Sequence, residues 1–270
     1  MLKEEEKFAP STVMEGMTSI RAVLKGQTTS NNDRKIEKIL FQQEKEAQLQ
    51  RELGYLRAMG REKGFEVLPV EAERLHRLCI GSSHGGVVAL TGERKLPALS
   101  EALKAIRPDG LYVLLEGIED PYNFGYALRS LYACGADGII LPPRNWMSAA
   151  GVVARASAGA SELFDMFTAD ATEALSLFHG IGYRTVCADA RADVTLQNCA
   201  LPCPLLLLVG GERRGLSAAV RQKADMQVRI AYGRDFPAAL SAASAATLFG
   251  YEIARQNRKI GGAAPHSEQV

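Results

Sequence analysis

The chain has no long hydrophobic run, a single tryptophan, only 7% aromatic residues and no surplus of either charge. Each shortage removes a class of protein. The strongest apolar segment, Leu205 to Val209, is far shorter than the roughly 20 residues that cross a bilayer as a helix, so no membrane span is expected. The opening MLKEEEKFAP is charged where a secretory leader would be apolar, and a cytoplasmic protein is the expectation. Lysine and arginine total 32 against 31 acidic residues, a net charge of +1, so no global field announces nucleic acid. The balance is 18 basic to 15 acidic up to Arg107 and 14 to 16 after it, too even to mark either half. Five cysteines (Cys79, Cys134, Cys187, Cys199 and Cys203) are scattered through apolar segments. Cys199 and Cys203 lack histidine or further cysteine nearby and make a poor zinc site, so buried free thiols and no metal are expected. No Gly-x-Gly-x-x-Gly follows a strand, since Thr185 stands where Gly180 and Gly182 would need a third glycine, and there is no Walker loop. No repeat of fixed period is found.

What the chain has is alternation. Strand-like runs at Lys35 to Phe41, Phe65 to Val70 and Val87 to Thr91 are separated by helical patterns at Gln42 to Arg61 and Glu71 to Leu78. A short helix at Ser19 to Lys25 precedes them. The long charged helix is expected to be interrupted or to end near Gly54 or Gly60. Further on come strands at Leu111 to Gly117, Gly138 to Leu141, Leu163 to Phe167, Arg184 to Ala188, Leu205 to Val209 and Gln227 to Ile230. Helices at Phe124 to Cys134, Ala149 to Ala156 and Ala171 to His179, one from Ser217, and Ala238 to Asn257 lie between and after them. This is an α/β chain, long enough for one large or two smaller domains. Residues 1 to about 12 and the tail from Gly261 read as disordered leads. His84, alone in a glycine-rich turn, reads as a turn residue.

The densest chemistry lies where apolar strands run into polar turns. LYVLLEGI meets Pro121 and then the corner Asn123-x-Gly-x-x-x-Arg129 at the head of a helix, and the carboxyl ends of strands are where open α/β sheets bind ligands. The six-residue spacing could bring an amide and a guanidinium toward one cleft. The plainer alternative is a capping asparagine and a solvated arginine. LLLLVGGERRGLS (Leu205 to Ser217) is a second strand ending in a glycine-rich turn, and VRIAYGRDFPAALSAASAATLFGYEIAR (Val228 to Arg255) gives a short strand, a loop and a small-residue helix.

In this order the three segments resemble the motifs of the SpoU/TrmH family of RNA 2′-O-ribose methyltransferases, of the SPOUT superfamily, over roughly residues 107 to 258. Arg155-Ala-Ser-Ala-Gly-Ala160 is similar to a Ser-Ala-Gly-Ala segment of that family. The resemblance implies a C-terminal SPOUT domain with a deep trefoil knot (107–260), a preceding small α/β RNA substrate-binding domain (1–106) and a flexible tail (261–270). Glu15-Gly16, Ile39-Leu40-Phe41 and His84 to Ala89 carry the likeness of the small domain. A homodimer is implied, as is a structured RNA substrate, with ribosomal RNA favoured over transfer RNA.

The same resemblance implies S-adenosyl-L-methionine as cofactor. Gly210, Ile230 and Leu240 stand at the family's main contact positions, with Gly211 beside them and Ala188 a further candidate. Loops without bulky side chains suit the bracketing of an adenine by backbone. Asn123, Arg129, Glu212 and Ser241 are the candidate catalytic set. A guanidinium of pKa above about 12 is a poor base, so Arg129 is read as aligning phosphate and ribose hydroxyl. Asn123 would hold the loop or the ribose, and Glu212 would anchor Arg129 or Asn123. Arg213 and Arg214 are candidate RNA contacts. One departure stands out: the family's Ser-Leu-Asn is here Ala239-Leu240-Ser241, a hydroxyl in place of an amide. It motivates the alternative of a catalytically silent RNA-binding or ribosome-assembly protein. A resistance enzyme acting on an antibiotic-binding RNA site would share the chemistry.

Overall fold

The computed structural model describes residues 12–81 and 84–257, so the lead expected at 1 to about 12 lies outside the described residues except for Thr12, which is buried, and the tail from Gly261 lies outside them. The chain packs as two compact units that interleave along the sequence. The first takes the residues up to Lys95 with Asp120–Gly125 and Asn145–Asp165; the second takes Leu96–Glu119, Tyr126–Arg144 and the chain from Met166.

In chain order the first unit holds β1 (Val13–Glu15), α1 (Gly16–Thr29), β2 (Ile36–Gln42), α2 (Gln50–Lys63), β3 (Glu66–Val70), α3 (Ala72–Leu78) and β4 (Val87–Thr91). The strands form a sheet in the order β1-β4-β2-β3, with β4 antiparallel to both neighbours and β2 parallel to β3. α2 runs through both glycines at which the sequence predicts a stop. Gly54 is exposed, while Gly60 is buried because a Cβ there would lie 2.5 Å from the Phe65 carbonyl. The stop is Gly64, whose φ of +82° is the left-handed conformation that ends helices. β1 is absent from the sequence-based expectation, since three residues carry no readable period.

α4 (Pro121–Ala133) starts in the first unit and continues into the second, which opens with β5 (Leu111–Glu116) and β6 (Gly138–Leu141). α5 (Ala150–Ala156) and α6 (Ala160–Leu163) return to the first unit. Ala150 and Ala154 join its core with Met14, Ile39 and Phe41. Gly159 and Gly26 let this segment close on α1, since side chains there would strike Ala22 and the Glu162 carbonyl. The closure buries charge. Glu162 and Arg34 pair at 3.0 Å with side chains 0% and 1% exposed, and Asn32 donates to the same carboxylate oxygen at 2.8 Å. Arg94 donates to the carbonyls of Ser161 (2.8 Å) and Phe164 (2.7 Å).

β7 (Asp165–Thr168), α7 (Ala171–Gly180), β8 (Arg184–Ala188), β9 (Val194–Thr195), β10 (Leu205–Gly210), α8 (Ala218–Lys223), β11 (Met226–Arg229) and α9 (Ala242–Gln256) complete the chain. The second unit's sheet has the order β7-β6-β5-β10-β8-β11-β9. Its pairs β5 with β6 and β10, β8 with β10 and β11, and β9 with β11 are parallel. Buried runs in β5 and β10 are what central strands require when both faces are covered. The two lie side by side with Gly210 level with Glu116, so their loops leave the sheet at one height. All five cysteines are free, but only Cys187 is buried, its thiol pushed up to about 12 by burial and then by Asp189. The other four are partly exposed, because they lie at element ends and in loops rather than mid-strand.

Candidate cofactor cavity and acceptor helix

Because β5 and β10 end together, the turns after them meet. Gly117, at φ +70°, faces Gly211, where a side chain would coincide with the Gly117 carbonyl. A Cβ on Gly210 would lie 2.5 Å from the backbone of Gly215 and Leu216. These glycines are required by backbone packed on backbone, and the turn they make is one wall of a cavity of about 230 Å³. The other walls are the ends of β8 and β11 and the first turn of α9. Ala188, Gly210, Gly211, Ile230 and Leu240 all line it. Glu212, Arg213 and Arg214 line it too, while Asn123, Arg129 and Ser241 are not among its lining residues.

The character of the cavity is divided. Val209, Leu216, Val228, Ile230, Leu240 and Phe249 give an apolar side suited to a flat base; Asp189 and Glu212 give carboxylates, and Arg191, Arg221 and Arg229 give cations. An amphipathic ligand with an aromatic base, a cationic centre and a carboxylate meets partners of each kind there. Asp189 is held by Arg221 at 3.2 Å and is 11% exposed. Asp189 and Arg221 escape the motif-based reading. Asp189 follows Ala188 directly and is legible from position; Arg221 sits on a helix whose facing no motif gives. Tyr232 accepts a hydrogen bond from the Leu240 amide at 3.1 Å and so holds the third motif's loop.

Ser241 is the N-cap of α9. Its hydroxyl accepts from the Ser244 amide at 3.1 Å, and Glu212 accepts from the Ala242 amide at 3.3 Å. A side chain from the second motif thus serves the helix of the third. The cap also explains why α9 begins at Ala242 and not at Ala238: Ser241 has extended backbone, φ −58° and ψ 151°, which ends the helix on its N-terminal side.

α4 differs from expectation at its start. The sequence suggests a corner at Pro121-Tyr122 and a helix from Phe124, yet α4 begins at Pro121. Proline at the first helical position loses no hydrogen bond. The capping residue is Asp120, whose carboxylate accepts from the Asn123 amide at 2.7 Å, so Asn123 lies inside the first turn. Its side chain is half-buried. Gly125 in the same motif is buried, and a Cβ there would lie 2.5 Å from that of Ala156. Arg129 is exposed and makes no hydrogen bond or ion pair among the described residues. Of the two anchors expected of Glu212, Arg129 or Asn123, no bond to Arg129 is made among the described residues; Glu212 also accepts from the first turn of α9. Arg213 pairs with Glu119 at 3.3 Å across the two turns, and Arg214 is exposed. At the end of β5, the Glu116 carboxyl is held above its ordinary range by burial and then by Asp170.

Fold and cavity together define an α/β protein with a ligand cavity at the carboxyl edge of a parallel sheet. Family models narrow the class: that of the SpoU rRNA methylases matches residues 110–251, and that of RNA 2′-O ribose methyltransferase substrate binding matches residues 13–97. The chain belongs to the SpoU methylase family. A relative described as an uncharacterized tRNA/rRNA methyltransferase of Mycolicibacterium vanbaalenii is 32% identical over 73% of this chain; the match spans 64% of the relative's own length. The SpoU methyltransferase AviRb of Streptomyces viridochromogenes, solved with AdoMet, is 25% identical with a TM-score of 0.71, covering 93% of this chain and 91% of that one. An AdoMet-bound rRNA methyltransferase of Sinorhizobium meliloti shares the fold at 22% identity, with a TM-score of 0.74 over 93% of this chain and 88% of its own. Among the described residues no helix is long and apolar enough to cross a membrane, and no cluster of three or more histidine, cysteine or acidic side chains could hold a metal.

Proposed function

We propose that the protein transfers a methyl group from S-adenosyl-L-methionine to a ribose 2′-hydroxyl of structured RNA, with ribosomal RNA favoured over transfer RNA. The observation that carries this reading is the convergence of Ala188, Gly210, Gly211, Ile230 and Leu240 on one cavity in a member of the SpoU family. The cofactor supplies the electrophilic methyl group. Backbone at Gly210 and Gly211 and the side chains of Ile230 and Leu240 bracket its adenine. The carboxylates of Asp189 and Glu212 and the arginines of the cavity answer its charges. Arg129, exposed and without a side-chain partner among the described residues, donates to the acceptor's phosphate and 2′-oxygen as charge builds there. Asn123 holds the ribose, Ser241 and Glu212 fix the first turn of α9, and Arg213 and Arg214 take RNA phosphates at the cavity mouth.

The linear division into a substrate-binding domain (1–106), a SPOUT domain with a trefoil knot (107–260) and a tail (261–270) belongs to the same reading, as does a cytoplasmic setting. A homodimer is part of it too. Tyr126 and Tyr132 of α4 and Leu248 and Tyr251 of α9 are exposed, and Gly250 of α9 lies against Leu131 and Cys134, so the large exposed side chains sit on adjacent elements.

The test is transfer of tritium from labelled S-adenosyl-L-methionine to RNA from cells lacking the gene, followed by mapping of 2′-O-methylation. Label at one ribosomal position is the expected result. Label in transfer RNA alone would reverse the substrate preference, and cofactor binding without transfer to any RNA would favour the silent RNA-binding relative.

A further inference from the structure

A second polar construction lies wholly within the first unit. Glu15, the last residue of β1, has a side chain only 6% exposed. One of its carboxylate oxygens accepts from the amides of Ile80 (2.8 Å) and Gly81 (3.4 Å), and the other accepts from Nη1 of Arg155 at 3.0 Å. Arg155 turns its second terminal nitrogen to the Tyr122 hydroxyl, donating at 3.0 Å with its guanidinium carbon 6.0 Å from the ring centre. Gly81 makes room for it, since a Cβ there would coincide with Nη1. Tyr122 is the second residue of α4 and directly precedes Asn123.

The first turn of α4 is thus held on both sides of Asn123. Before it, Tyr122 is tied to Arg155. After it, Gly125 packs against Val153 and Ser157, with a Cβ meeting the Val153 carbonyl and the Ser157 amide at 3.1 Å. A helix end held only by its cap frays, and local opening is cheapest at such ends. A charge-assisted hydrogen bond from an arginine whose other arm is fixed on a buried carboxylate suppresses that opening. The three residues come from distant parts of the chain, Glu15 and Arg155 standing 140 positions apart.

We propose that Arg155 is a positioning residue for the transfer reaction: through the chain Glu15, Arg155, Tyr122 it fixes the first turn of α4 and with it the place at which Asn123 meets the acceptor ribose. The inference rests on the proposed function. Its energetic logic is orientation, where displacement of a reacting group by about 1 Å can cost up to about a hundredfold in rate.

The experiment uses the full chain. Tyr122→Phe keeps the ring and removes only the acceptor oxygen; Arg155→Ala removes the donor. Each is expected to lower the single-turnover rate at saturating RNA and cofactor by about tenfold. The double variant should lose no more than either single one, and both dissociation constants should stay within about twofold of wild type. Unchanged rates, or losses that multiply in the double variant, overturn the proposal. Amide exchange of Asn123 and Phe124, read without RNA or cofactor, is expected to quicken in Tyr122→Phe while the urea midpoint holds. Unchanged exchange overturns the proposal even in a protein that transfers no methyl group. Quickened exchange in a protein without transfer would sink the proposed function and leave the tether standing.

Discussion

The cavity of the second unit and the charged interior of the first place polar groups by opposite means. At the cavity the chain's own backbone makes one wall: Gly210 and Gly211 are packed so closely that no side chain fits, and Gly117 holds a positive φ, while charged side chains such as Asp189, Glu212 and Arg221 complete the lining. In the first unit side chains take the backbone's part. Arg34 and Glu162 are removed from water altogether and satisfied by Asn32 and by the carbonyl of Gly92, which accepts from Arg34 at 2.8 Å. Backbone geometry is written into local sequence as glycine, whereas a buried ion pair is written in two places 128 residues apart. The first kind of site tolerates drift in its neighbours, and the second fails when either partner changes.

That contrast is broken most severely at Glu162. Removing its carboxylate leaves the Arg34 guanidinium buried without a counter-charge, a change expected to cost about 3 to 5 kcal/mol. Glu162→Ala should therefore lower the urea midpoint steeply. The double change Arg34→Met with Glu162→Met should lose much less, since no lone charge remains. A loss for Glu162→Ala below about 1 kcal/mol, the range of an exposed pair, would show that the network is not what closes the 145–165 segment on α1.

The same contrast explains what is legible in the sequence. β5 and β10 announce themselves as unbroken apolar runs, and the turns after them as clusters of glycine and charge; the choice of Ala188, Gly210, Gly211, Ile230 and Leu240 as cofactor positions comes from the family resemblance and not from that pattern. The start of α9 is misplaced by the sequence pattern because Ala238-Ala239-Leu240 are good helix formers; a single N-cap preference at Ser241 outweighs them. The start of α4 is misplaced because Asn123 looks like a cap, when Asp120 with Pro121 behind it fills that role. β1 and β9, at three and two residues, carry too little pattern to show any period. The pairing of Arg34 with Glu162 and of Glu15 with Arg155 has no local signature, because it is decided by how distant segments pack.

Arg129→Ala comes next in size. An exposed arginine that bonds to nothing within the described protein should contribute little to stability, so any loss belongs to the reaction. The single-turnover rate is expected to fall by at least about a hundredfold, as on removal of a transition-state donor. Calorimetry should find cofactor affinity unchanged, since Arg129 does not line the cavity. A wild-type rate on the true RNA would remove Arg129 from the acceptor site.

A smaller effect is expected at Ala188, which sharpens the contrast from the cavity side. Gly210 is unsuited to the test, because a side chain there strikes Gly215 and Leu216 and disturbs the turn itself. Ala188 is half-buried on the cavity wall, so Ala188→Leu adds bulk toward the ligand. Overfilling of this kind costs about 1 to 3 kcal/mol, which calorimetry should read as a weakening of S-adenosyl-L-methionine by about tenfold or more with the urea midpoint nearly kept. Unchanged affinity would move the adenine elsewhere.

The smallest effect is expected at Ser241, and it separates enzyme from binding module. As an N-cap, serine is equivalent to asparagine, and alanine is worse than either by about 1 kcal/mol. Ser241→Asn should therefore leave stability within a few tenths of a kcal/mol, while Ser241→Ala loses the bond to the Ser244 amide and lowers the thermal midpoint accordingly. Because Ser241→Asn holds the cap constant and adds an amide with two donors and a carbonyl, any change in its transfer rate reports on the reaction and not on the fold. An active protein should transfer methyl groups as fast or faster with Ser241→Asn and more slowly with Ser241→Ala. If wild type and Ser241→Asn both fail to label any cellular RNA while binding it equally well, the hydroxyl serves the helix alone, and the chain is an RNA-binding relative that kept the cavity without the reaction.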